Sequence, residues 1–336
     1  MNALLTRTDF DKWTGRLVRR MRRRHNEHCT TILTWHSVAR EESLFTSGTQ
    51  LRHHPADFER QIDYLAAHYN LISLHELVHM FEQGEQPRRT VVLTFDDGYA
   101  DSIRVALPIL FRRRIPMTIF PVTSVIGNRD LMWQHKLAWL IASGYESRVW
   151  NILKDAGWTI PAEPEPLATF VRRNYRATLL DVLESVLRDV GTSGPELAAK
   201  HRPYLEDEEI AAADPNFVRF GNHTHTHPVL ASLTPKQQLG EIMTAQRKLL
   251  ELTGRTPLAM AYPFGLRPHY NAESKRLARD TGHRAALDMR RRMNVGRVDP
   301  FELSRRPVPD GPQIGFEKMI ESWPANAHAP LSGGLR

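Results

Sequence analysis

The chain has 336 residues, 41% of them hydrophobic and 25% charged, which is enough apolar material for one sizeable core. No apolar run approaches the roughly 20 residues that span a bilayer, and the single cysteine, Cys29, excludes an intrachain disulfide. The formal net charge is +7 with a pI near 9.7, and the excess is local: Lys12, Arg16, Arg19, Arg20, Arg22, Arg23 and Arg24 crowd one short stretch.

Residues 1–28 read as a basic amphipathic arm. Phe10, Trp13, Leu17 and Met21 recur at spacings of three and four and so share one helical face. Such an arm suits peripheral contact with an anionic membrane surface, or packs its stripe on the main domain. Nucleic acid ranks low as a partner, because no recognition element accompanies the arginines. The first eleven residues lack the apolar core of a secretory signal, so the expected location is the cytoplasm, with the inner membrane face as a place of contact.

From residue 29 to 310 short apolar runs alternate with helical patterns. Thr31–Val38, Val91–Phe95, Met117–Val122, Val218–Gly221, Leu258–Tyr262, Arg284–Asp288 and Leu303–Val308 read as strands. Pro55–His68, Ser73–Glu82, Ser102–Arg113, Pro235–Leu252 and Ala272–Thr281 read as helices. The alternation predicts parallel βαβ units in an α/β fold. About seven of them would close into a barrel, although periodicity alone leaves an open sheet as the alternative. Residues 131–213 break the pattern and read as a helical insertion walling a substrate cleft, with Thr169–Val190 as its longest helical run. Residues 311–336 read as a C-terminal tail.

Three stretches carry chemistry. Thr94-Phe95-Asp96-Asp97-Gly98 places adjacent carboxylates at the end of a buried strand, where parallel α/β folds build their sites. Their mutual repulsion is relieved by a cation or by a raised pKa; a plain Asp-Asp-Gly turn is the alternative. Gly221-Asn222-His223-Thr224-His225-Thr226-His227 follows a second strand, and the four-residue spacing of His223 and His227 aims two imidazoles one way. Imidazole suits zinc and other late first-row metals, with a carboxylate completing the set. His225 is expected to face elsewhere. Tyr262-Pro263-Phe264-Gly265 ends a third strand in a turn that would free the Phe264 N–H to stabilise an oxyanion.

These stretches resemble the polysaccharide deacetylases with NodB homology, carbohydrate esterase family 4. Thr-Phe-Asp-Asp-Gly matches the first family motif, His223 to His227 matches its His-Thr-x-x-His, and Tyr-Pro-Phe-Gly is similar to the third motif of one branch. The resemblance, which spans roughly residues 31 to 308, implies a distorted (β/α)7 barrel that removes acetyl groups from the nitrogen of an acetamido sugar. It implies Asp97, His223 and His227 as ligands of a divalent metal, zinc first, with cobalt, nickel, manganese or iron also compatible. It implies Asp96 as the general base and the Phe264 N–H as an oxyanion donor. Two departures stand out. Ala261 occupies the place of the third-motif arginine that orients the base, leaving Arg305 or Arg267 as replacements. No Leu-x-His motif follows Gly265, so His36, at the end of the first strand, is assigned as general acid; first and last strands of a closed barrel are neighbours. O-acetyl esterase activity on the same site, or a catalytically impaired sugar-binding protein, are the other readings.

Overall fold

The structure is a computed structural model that describes residues 30–46, 51–292, 294–309 and 313–321. The basic arm and much of the expected tail lie outside the described residues. Among the described residues the strands are β1 (Thr30–Trp35), β2 (Ser37–Val38), β3 (Arg52–His53), β4 (Asn70–Leu71), β5 (Thr90–Asp97), β6 (Met117–Pro121), β7 (Val218–Phe220), β8 (Ala259–Ala261), β9 (Ala285–Asp288) and β10 (Leu303–Pro307).

Seven of these, all parallel, run β7-β6-β5-β1-β10-β9-β8 in spatial order. The ring closes just past β7. There the Asn222 N–H donates to the Ala259 carbonyl at 2.9 Å and the Ala261 N–H donates back to the Asn222 carbonyl at 2.8 Å. The expected (β/α)7 barrel is therefore the observed one, and the seven expected strands are its staves. β4 pairs with β5, and β2 with β3, at the margins.

The strands are buried on both faces, as parallel strands between helices must be. Leu33, Trp35, Leu93 and Phe95 point outward against Phe58 and Ile62 of the helix Pro55–His68. Ile32, Val92, Phe120, Ala259, Ala285 and Leu303 form the inner cluster. The inner positions change character toward the carboxyl ends of the strands, where Thr34, Thr94, Asp96 and Arg305 replace aliphatic side chains and are all buried. That polar end is the site.

The insertion is helical, as expected, and has its own core, in which Leu140, Val149, Leu153, Phe170, Leu183 and Leu187 are buried. The long run Thr169–Val190 is, however, two helices, Leu167–Arg173 and Leu179–Asp189. Asn174 divides them: its backbone N–H and its side-chain amide both donate to the Phe170 carbonyl, a local alternative to the next helical turn. Part of the expected tail is also ordered structure. Gln313–Glu321 is a helix lying on Pro55–His68, with the Phe316 and Tyr64 rings 6.2 Å apart.

Gly221 lies at the closing seam. A Cβ there would sit 2.2 Å from the Phe120 ring and 3.0 Å from the Ala259 carbonyl. Gly221→Ala is expected to destabilise the barrel by about 1–3 kcal/mol through overpacking, read as a lowered urea midpoint.

Candidate active site

Neighbouring residues of a regular strand point to opposite faces, so Asp96 and Asp97 could not both serve one site from an ideal β5. The alternation breaks at Asp97, whose φ of 67° is left-handed. Both carboxylates consequently approach the same imidazole: His223 Nε2 is 3.9 Å from Asp96 and 3.6 Å from Asp97. Thr224, His227 and Phe264 share this left-handed conformation, at 66°, 57° and 60°. Four such non-glycine residues at one barrel mouth store strain where function is concentrated.

The two carboxylates differ in their partners. Arg305, fully buried in β10, grips Asp96 with two parallel hydrogen bonds of 2.6 and 2.7 Å. Thr34 and Thr94 hydroxyls lie 3.3 Å from the same guanidinium, which sits over the Phe120 ring. Burial alone would raise the Asp96 pKa, but Arg305 and then His223 hold it well below the usual carboxylate range. Asp97 has no such partner among the described residues. Burial, and then the Asp96 charge, push it up to about 8.

His223 and His227 face Asp97 through their Nε2 atoms, each 3.6 Å from Asp97 Oδ1. The other ring nitrogens are occupied. His223 Nδ1 donates to the Ala261 carbonyl at 2.8 Å, and the Gln134 side-chain amide closes on His227 Nδ1. For His227 Nε2 to keep its lone pair, Gln134 must present its oxygen, the orientation that also gives its buried Oε1 a partner. Trp133, beside it in the helix Trp133–Ala142, donates to the His227 carbonyl at 3.0 Å. Below the loop, Glu241 accepts from the backbone N–H groups of His225 and Thr226. Burial lowers the pKa of both His223 and His227, which favours the neutral form that binds metals.

The chemistry of the set fits a divalent cation. One carboxylate oxygen and two imidazole nitrogens lie within 4.8 Å of one another, all from buried residues. Donor atoms of a tetrahedral zinc, about 2.1 Å from the ion, stand roughly 3.4 Å apart, close to the observed 3.6 Å spacing. The elevated pKa of Asp97 is the counterpart: without a positive charge beside it, this buried carboxylate is disfavoured as an anion.

His36 follows β1 and opens into the same cavity, of about 780 Å³, as Asp96, Asp97, His223, His227, Phe264 and Arg305. Burial drives its imidazole down to about 4, against the Asp96 charge. Asp101 steadies the backbone behind it by accepting from the Val38 N–H and the Ser37 hydroxyl. The Phe264 N–H donates no hydrogen bond among the described residues, and the Phe264 ring packs edge-on against His227 at 4.8 Å. Of the two arginine candidates, Arg305 meets Asp96 and Arg267 is exposed at the rim. His225 turns aside to Thr123 at 3.0 Å. Gln134, Trp133 and Glu241 carry no recognisable motif in the sequence; only the folded insertion and the helix Pro235–Thr253 bring them to the histidine loop.

The family model described as polysaccharide deacetylase matches residues 83–161 and 192–286, together just over half of the chain. The matched segments include Asp96, Asp97, His223, His227 and Phe264, whereas His36 and Arg305 fall outside them. The poly-beta-1,6-N-acetyl-D-glucosamine N-deacetylase of Staphylococcus epidermidis is 26% identical over 142 residues, 38% of this chain and 48% of that protein. The chain spans less than two thirds of the curated relatives it matches first, reaching 63% of YxkH from Bacillus subtilis. The Streptococcus pyogenes deacetylase PplD, solved with acetate, superposes with a TM-score of 0.59 at 17% identity, over 88% of this chain and 98% of that one. IcaB from Ammonifex degensii gives 0.55 at 17% identity, over 87% and 95%. At these identities the likeness establishes the barrel.

Removing the guanidinium alone would strand a buried carboxylate beside a second one. Arg305→Met is expected to cost about 3–5 kcal/mol, and adding Asp96→Asn should recover much of that loss; urea unfolding of the metal-free proteins measures both.

Proposed function

The chain belongs to the polysaccharide deacetylase family, and on that premise we propose that it is a metal-dependent hydrolase releasing acetate from the nitrogen of an acetamido sugar. The observation that carries this reading is the convergence of Asp97, His223 and His227 beside an Arg305-paired Asp96 in one cavity. The Staphylococcus epidermidis relative, by its name, acts on a polymer of N-acetylglucosamine, which puts that sugar first among substrates to try.

Asp97, His223 and His227 would hold the cation, with zinc favoured by the two-imidazole, one-carboxylate set. When bound, such a cation polarises a carbonyl and acidifies a water. Asp96, kept ionised and fixed in direction by Arg305, takes the proton of the attacking water. The Phe264 N–H, free of other partners among the described residues, donates to the oxygen on which negative charge develops. His36 is neutral in the resting site, so the proton it delivers to the departing amine is one gained during turnover, from the neighbouring Asp96. The amine leaves protonated and the acetyl group leaves as acetate.

The absent third-motif arginine favoured an impaired enzyme in the sequence. Arg305 supports the active reading, because it reaches Asp96 from β10 while Ala261 instead offers its carbonyl to His223. Amide and ester substrates would use the same groups, and a panel of N- and O-acetylated sugars separates them.

Asp97→Ala and His227→Ala are expected to lose bound zinc and acetate release together. His36→Ala should keep its metal and slow turnover by about 10²- to 10⁴-fold. Metal analysis paired with an acetate assay decides the matter: full zinc content and activity in Asp97→Ala would refute the reading.

A further inference from the structure

The cavity of about 780 Å³ lies in the upper part of the roughly 300–1,000 Å³ range of small-molecule sites, so it holds more than the acetamido group being cleaved. Away from the catalytic cluster its wall is largely apolar, with Phe45 and Trp133 among aliphatic side chains. The helix Trp133–Ala142 turns Leu137, Ala138 and Ile141 toward it, on the face that begins with Gln134. Leu44 and Leu51 contribute as well, and Leu44 is one of the few large apolar side chains left exposed.

The polar side chains here are already engaged. His135 is held between the hydroxyls of Tyr99 and Tyr204. Gln134 gives one amide atom to His227, and the Tyr262 hydroxyl donates to the Phe301 carbonyl. Outside the catalytic cluster, the one charged residue lining the cavity among the described residues is Arg172, whose guanidinium lies 5.9 Å from the Phe264 ring centre. A second sugar placed in this bay would bury hydroxyl groups with almost nothing to receive them, which is penalised group by group. A hydrocarbon chain would lose nothing and gain by leaving water.

We propose that the acetamido sugar handled by this site carries an apolar aglycone, and that the bay formed by Leu44, Leu51, Leu137, Ala138 and Ile141 receives that chain. The inference rests on the deacetylase reading for the sugar end and on the wall chemistry for the other end.

The test compares methyl, butyl and octyl N-acetylglucosaminides with an N-acetylated disaccharide. Calorimetry on the metal-free protein measures affinity, and acetate release from the zinc-loaded protein measures turnover. Each fully buried methylene is worth about fourfold in affinity, so octyl should bind at least thirtyfold more tightly than methyl and outcompete the disaccharide. Ala138→Asp should flatten that dependence of affinity on chain length. Methyl and octyl glycosides binding within twofold of each other, or the disaccharide binding more tightly than octyl, would overturn the proposal. The wild-type series decides even where the variant folds poorly. Chain-length-dependent affinity without acetate release would uphold the bay and sink the deacetylase reading; acetate release without chain-length dependence would do the reverse.

Discussion

Arg305 makes unlike partners of two adjacent aspartates. Like charges on neighbouring residues of one buried strand end cannot both persist unaided. The guanidinium neutralises one of them bidentately, leaving Asp96 ionised and pointed, and leaves Asp97 with a surplus that only another positive charge can balance. The left-handed turn at Asp97 completes the division, because it brings the second carboxylate round to the two imidazoles. In the proposed mechanism, base and metal ligand are thus separated by one peptide bond and by the placement of a single cation.

Everything around that pair serves to hold it. Barrel closure through Asn222 sets the histidine loop against β8, where the Ala261 carbonyl fixes the His223 ring. Glu241 secures the loop from below and Gln134 secures His227 from the side. The insertion therefore has two roles. One turn of its first helix orients the His227 ring, and the next turns line the cavity with aliphatic side chains. If the cavity receives an apolar chain as proposed, that helix links substrate preference to site geometry.

The elements visible in the sequence were those fixed by local pattern. Apolar runs such as Val91–Phe95 marked the barrel strands, and the Asp-Asp-Gly and His-x-x-x-His spacings marked which strand ends matter. What escaped depended on the fold. The break falls at Asn174, whose side-chain amide also reaches the Phe170 carbonyl, and helical periodicity cannot register it. The helix Gln313–Glu321 is held by Tyr64, more than 200 residues away along the chain. Between Arg305 and Arg267, register decides, because it sets Arg305 beside Ile32, inside the barrel and below Asp96. Gln134 could not be singled out, since a lone glutamine in a helical stretch announces nothing.

The most direct test of a single cation site is an anomalous difference map, at the zinc edge, from crystals grown with zinc. The expected result is one strong peak about 2.0–2.2 Å from an Asp97 oxygen and from the Nε2 atoms of His223 and His227, with Asp96 still paired to Arg305. A peak bound elsewhere, or an Asp97 turned away from both imidazoles, would contradict it.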